Sequence, residues 1–117
     1  MSHPVDKIRL SDKEAVEFRM GLIEDEVKEL RDALLEDLDI VNGLKEACDV
    51  LYVLMGTLVA LEGMPDPVDG AFQEVHRSNM SKLGKDGKPI YREDGKVLKP
   101  STYKEPDLEP FIAQPGY

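Results

Sequence analysis

Helical spacing links Ala15, Phe18, Leu22, Ile23, Leu30, Ala33 and Leu34 into one apolar stripe. Only a helix sets residues at those intervals on a common side. Ser11-Asp12-Lys13-Glu14 stands before the stripe as a capping box, with Ser11 accepting from the Glu14 amide and Glu14 reaching back to that of Ser11. A first helix is therefore expected from about residue 12 to about residue 36. Asp39 is the next cap, and a second helix is expected to run to about Gly63, ahead of Met64-Pro65, with Asn42-Gly43 weakening its first turn. From Val50 to Leu61 this second helix is apolar on nearly every side. A thin monomer cannot bury such a cylinder, so subunit contact is implied.

Asp66-Pro67-Val68-Asp69 offers a cap, a proline for the first helical position and an acid for the first turn, opening a third helix to about Leu83. The chain then changes character, since residues from Gly84 onward hold five of the eight prolines and four of the nine glycines. Lys85-Asp86-Gly87-Lys88 and Glu93-Asp94-Gly95-Lys96 repeat a turn signal around Pro89-Ile90-Tyr91-Arg92, which suggests a short hairpin or ordered loop. Pro100, Pro106, Pro110 and Pro115 mark an extended tail. The expected architecture is all-α: a helical bundle completed by homo-oligomerisation, as a homodimer first and a homotetramer second, with an extended Pro/Gly-rich C-terminal segment. One domain is expected over residues 1–117, helical from about 12 to 83, with loop and tail over 84–117.

With 41% apolar and 33% charged residues, the 117-residue chain has the balance of a folded domain. Its longest apolar run is interrupted by Gly56, Thr57 and Glu62, and no basic-then-apolar leader precedes it, so neither a membrane span nor a signal peptide is expected. Cys48, the lone cysteine, is read as packing and fits a reducing, cytoplasmic setting. A net charge of −9 argues against binding to a nucleic acid polymer. Its distribution says more. Residues 1–75 carry 18 acidic and 7 basic side chains, whereas residues 76–104 carry 3 acidic and 8 basic. An acidic helical part followed by a basic segment suits a metal–phosphate site, although chance clustering on solvated faces gives the same numbers.

On a helical wheel Arg19, Glu26 and Glu29 fall inside the apolar arc of the first helix, away from Glu17, Glu24, Lys28 and Asp32. Glu46 and Asp49 come to one side of the second helix, where Gly56 and Thr57 continue a small or polar seam. Unpaired carboxylates cost several kcal/mol each to bury, so these should be neutralised, paired or bound to metal. Each pair is spaced i, i+3 and can hold a common cation. Four carboxylates facing one another form a hard-oxygen set for Mg²⁺ or Mn²⁺ and a poor one for zinc.

Glu26-Val27-Lys28-Glu29, 16 intervening residues and Glu46-Ala47-Cys48-Asp49 resemble the ExxE…ExxD signature of the all-α nucleoside triphosphate pyrophosphohydrolases. That superfamily includes MazG, the dimeric dUTPases and phosphoribosyl-ATP pyrophosphohydrolase. The runs Arg19 to Glu26 and Glu46 to Tyr52 are similar to it too, and the likeness covers about residues 12–83. Glu74 to Lys82 and Leu98 to Tyr103 are similar to segments of its phosphoribosyl-ATP- and dUTP-cleaving members. The resemblance implies Asn79 near metal or sugar, and Lys82, Lys99 and Tyr103 near phosphates or base. His76 is read as packing or surface.

A triphosphate can enter an acidic pocket only as a metal complex. Glu26, Glu29, Glu46 and Asp49 are the expected ligands, with Asp25 beside Glu29 as an outer-shell or water-orienting group and Arg19 set to pair with a carboxylate or meet a phosphate. The resemblance implies cleavage of (deoxy)nucleoside triphosphates to monophosphate and pyrophosphate, in nucleotide-pool housecleaning. Two alternatives stand beside it: phosphoribosyl-ATP hydrolysis in histidine synthesis, and a non-catalytic helical oligomerisation module whose acids form salt bridges.

Overall fold

The computed structural model describes residues 7–84 and 86–112. Lys85 of the first turn signal and the Pro115 end of the tail lie outside the described residues. Among these residues three helices form, α1 (Lys13–Leu35), α2 (Ile40–Ala60) and α3 (Asp69–Met80), followed by a 3₁₀ turn at Glu109–Phe111. Among the described residues extended pairing is limited to isolated bridges, so the fold is all-α. No helix among them is long and apolar enough to cross a membrane. The described chain divides into two compact units, residues 7–66 and residues 67–112.

The first unit is a helical hairpin. Asp12, not Ser11, caps α1, its carboxylate accepting from the Ala15 amide at 3.2 Å. An anionic cap also meets the positive end of the helix dipole, which a serine hydroxyl does not. Asp39 caps α2 as expected and accepts from the Asn42 amide at 3.0 Å. Between the helices Leu38 takes a left-handed conformation (φ 50°). α2 stops at Ala60 rather than Gly63, because Leu61 turns extended and pairs with Ile8. Ile8 donates to the Ala60 carbonyl at 2.7 Å and accepts from Glu62 at 2.8 Å, so the hairpin is tied at its open end as well as at its turn. Lys7 adds a bond from its ammonium to the Val59 carbonyl.

Where α1 and α2 pack, Ala33 is the only fully buried apolar side chain among the described residues, at 1% exposure. Leu44, Leu51 and Tyr52 of α2 stand open, the last 82% exposed. An apolar groove of about 610 Å³ runs between the helices, lined by Leu30, Leu34, Ile40, Val41, Leu44 and Ala47. Cys48, expected in the packing, is exposed: it belongs to the same uncovered side of α2.

In the second unit α3 begins at Asp69, two residues later than the proline signal suggests, with Val68 as a cap that offers no side-chain acceptor. It ends at Met80 because Leu83 leaves the helix to bridge Pro89. Tyr91 bridges Val97, and Gly87 (φ 75°) and Gly95 (φ 85°) make the left-handed turns that the two repeated signals called for. The tail is fastened to α3. Ser78, 2% exposed, donates from Oγ to the Lys104 carbonyl at 2.8 Å, and Arg77 donates to the Glu105 carbonyl at 3.1 Å. Glu74 accepts from Arg77 at 2.8 and 2.9 Å and from the Asp107 amide at 2.7 Å. These bonds hold its carboxyl down to about 2, the Arg77 guanidinium contributing most.

Candidate metal centre

Glu26 comes from the middle of α1, and Glu46 and Asp49 come from one side of α2. The helical hairpin brings a carboxylate oxygen of each to within 4.8 Å of the others. Glu46 is buried, at 7% exposure, while Glu26 and Asp49 are half-buried. Glu26 Oε2 and Glu46 Oε2 are buried oxygens with no hydrogen-bond partner among the described residues. Leaving two such acceptors unmatched is costly, and a cation would satisfy both. The donors are all carboxylate oxygens, without histidine or thiolate, and this set fits a hard divalent ion.

Glu29 differs from the sequence expectation in being exposed rather than buried. It nevertheless borders the cluster. Its carboxyl is held above the ordinary range first by the negative charge of Glu26, then by hydrogen bonding and charge from Glu46. Asp25 is exposed on α1 outside the converging group of Glu26, Glu46 and Asp49.

Arg19 is half-buried and turned toward α2, where Nε donates to Thr57 Oγ1 at 3.1 Å and Nη2 to the Val53 carbonyl at 3.4 Å. Its donors meet a hydroxyl and a carbonyl, where the sequence suggested a carboxylate or phosphate. Gly56 gives the guanidinium room, since a Cβ there would lie 3.0 Å from Nη2. Thr57 completes the seam by donating to the Val53 carbonyl at 2.8 Å.

Asn79 is exposed near the end of α3. In the same unit the Lys82 and Lys99 ammonium groups lie 5.6 and 5.2 Å from the centre of the Tyr103 ring. Both are cation–π contacts to one aromatic ring. His76 is exposed.

Sequence reasoning missed Lys45. Its ammonium lies 2.8 Å from Asp49 Oδ2 and 3.2 Å from Glu46 Oε1, and these two carboxylates hold its proton well above the usual lysine range, Asp49 first. The i, i+4 spacing of Lys45 and Asp49 was the available signal. Thr57 as the partner of Arg19, and the Ser78–Glu74 fastening, were also missed, because each depends on contacts 26 or more residues apart in the chain.

Comparison with known proteins adds one family. No curated protein matches the chain. Residues 3–79, which span α1, α2 and nearly all of α3, match the family described as phosphoribosyl-ATP pyrophosphohydrolase. That family lies within the MazG-like all-α superfamily that the acidic signature resembles. With about two thirds of its length matched and both acidic pairs inside the match, the chain belongs to the phosphoribosyl-ATP pyrophosphohydrolase family.

Proposed function

We propose that this protein hydrolyses phosphoribosyl-ATP to phosphoribosyl-AMP and pyrophosphate, with Glu26, Glu46 and Asp49 holding a divalent cation and Glu29 completing the set. The observation that carries this reading is the pair of partnerless buried oxygens, Glu26 Oε2 and Glu46 Oε2, converging from two helices. Magnesium or manganese bound there would polarise the phosphoryl oxygens and make a bound water a better nucleophile. Attack of water on the α-phosphorus breaks the α–β anhydride bond, and the electron pair leaves with pyrophosphate. On this reading Asp25, exposed on the same helix, acts on that water only through an outer contact.

The substrate side is assigned to Asn79, Lys82, Lys99 and Tyr103, whose paired ammonium groups and aromatic ring suit phosphates and a base. Arg19 acts on this reading by fixing α1 to α2, and through them the spacing of the carboxylates. Free (deoxy)nucleoside triphosphates are the second reading. They stay in view because Lys82, Lys99 and Tyr103 all lie beyond the matched residues 3–79.

A second copy of the chain covers the Leu30–Ala47 groove and the open face of α2 in this proposal. A two-fold pairing of these hairpins lays the same apolar surface against itself and builds the bundle that one chain leaves unfinished.

A pyrophosphate-release panel tests the function: phosphoribosyl-ATP, the common dNTPs and dUTP, each with Mg²⁺, with Mn²⁺ and with EDTA. Turnover of phosphoribosyl-ATP well above every dNTP supports the first reading, and the reverse order supports the second. No divalent-dependent release from any substrate, with the helical fold intact, rejects both in favour of a non-catalytic module.

A further inference from the structure

Carboxylates gathered between two helices need a balancing charge whenever no cation is present. The chain supplies one of its own. Lys45 Nζ touches Asp49 Oδ2 at 2.8 Å and Glu46 Oε1 at 3.2 Å. Its side chain is 62% exposed, so the ammonium reaches the cluster from the solvent side along an open stem. The other oxygen of Glu46 and the Oε2 of Glu26 remain buried and without partners. Lys45 thus neutralises the outer edge of the cluster and leaves its inner oxygens free.

We propose that Lys45 is the resident counter-ion of the cluster, and that a divalent cation entering it displaces the ammonium from Asp49. This rests on the metal-centre reading above. A cation bound to Glu26, Glu46 and Asp49 would stand within a few ångströms of the ammonium if both remained, and like charges so close repel strongly. An exposed lysine gives way at small cost, because water takes over its hydrogen bonds and the solvated ion pair was weak. A guanidinium locked in two parallel bonds would resist such exchange. Lys45 is therefore a positioning residue: it holds the outer oxygens of Glu46 and Asp49 in the metal-free protein and competes with the incoming ion for them.

Titration calorimetry of the full chain with Mn²⁺, on wild type, Lys45→Gln and Glu46→Gln, tests the exchange. Lys45→Gln should bind Mn²⁺ about two- to fivefold more tightly than wild type, the span expected for losing a solvated ion pair that competes for the same carboxylates. Glu46→Gln should lose binding. In parallel, wild type is treated with an amine-acylating reagent with and without Mn²⁺, and modification is read by peptide mass spectrometry. Acylation of Lys45 should rise severalfold with Mn²⁺ while that of Lys28 and Lys96 stays level. This second measurement needs no variant to fold. Wild-type affinity or weaker in Lys45→Gln, or Lys45 acylation unmoved by Mn²⁺, overturns the exchange and leaves the metal centre standing. Failure of wild type to bind Mn²⁺ overturns both.

Discussion

Replacing Glu46 by glutamine keeps the length and shape of the side chain and removes one negative charge from the cluster. Without a cation, the substitution should stabilise the fold. Glu46 is 7% exposed, and its ligand oxygen lies within 4.8 Å of those of Glu26 and Asp49. At an effective dielectric of about 20, like charges at that separation repel by about 3.5 kcal/mol. Lys45 offsets most of the repulsion from Asp49, leaving that from Glu26 as the main gain. Two effects reduce it: solvent screening of a cluster in which Glu26 and Asp49 are only half-buried, and the burial of an amide with unmet hydrogen bonds, about 1 kcal/mol. The net is a stabilisation of about 1–2 kcal/mol, or roughly 4–10 °C in melting temperature. Thermal unfolding followed by circular dichroism reads it directly, in EDTA and again in Mn²⁺. In EDTA the variant should melt above wild type; in Mn²⁺ wild type should rise and the variant should not. A variant that melts below wild type in EDTA refutes the reasoning, because the carboxylate would then be held by favourable contacts rather than by constraint.

Thr57→Val keeps a similar shape but removes the acceptor of Arg19 Nε, and should cost about 1–2 kcal/mol in urea unfolding, with the helical content unchanged. The fastening of the tail to α3 should depend on acid. Glu74 is held from the ordinary 4.5 down to about 2, so its contribution is complete above about pH 4.5 and is lost as pH falls toward 2. The Asp107 amide resonance should report that loss by NMR, and Glu74→Gln should abolish its pH dependence. Leu44→Lys puts a charge in the apolar groove and should reduce the sedimenting species to one chain of 13.1 kDa; an unchanged larger species would remove this face from the interface.

The helices were legible because their signals are local. A stripe at helical spacing and the Asp39 cap located α1 and α2, and glycine turns at Gly87 and Gly95 follow from dipeptide chemistry. Most of what failed was set by partners distant in sequence. Ser11 and Asp12 are both good caps, and charge against the helix dipole decided between them. Gly63 would end a helix, but pairing of Leu61 with Ile8 ended α2 first. At the site, the wheel placed Glu26, Glu46 and Asp49 correctly on the shared face, since period alone fixes direction. It could not show that Glu29, one turn along from Glu26, is exposed, nor that Arg19 would find a hydroxyl instead of a carboxylate.

The bonds joining Ile8 to Ala60 and Glu62 carry a consequence for the cluster far from them. Two rods joined at both ends resist hinging apart, so the backbones that carry Glu26 and Glu46 keep their spacing while the side chains keep their rotamers. For a cation held as proposed above, that backbone spacing would act together with ion radius and preferred coordination number.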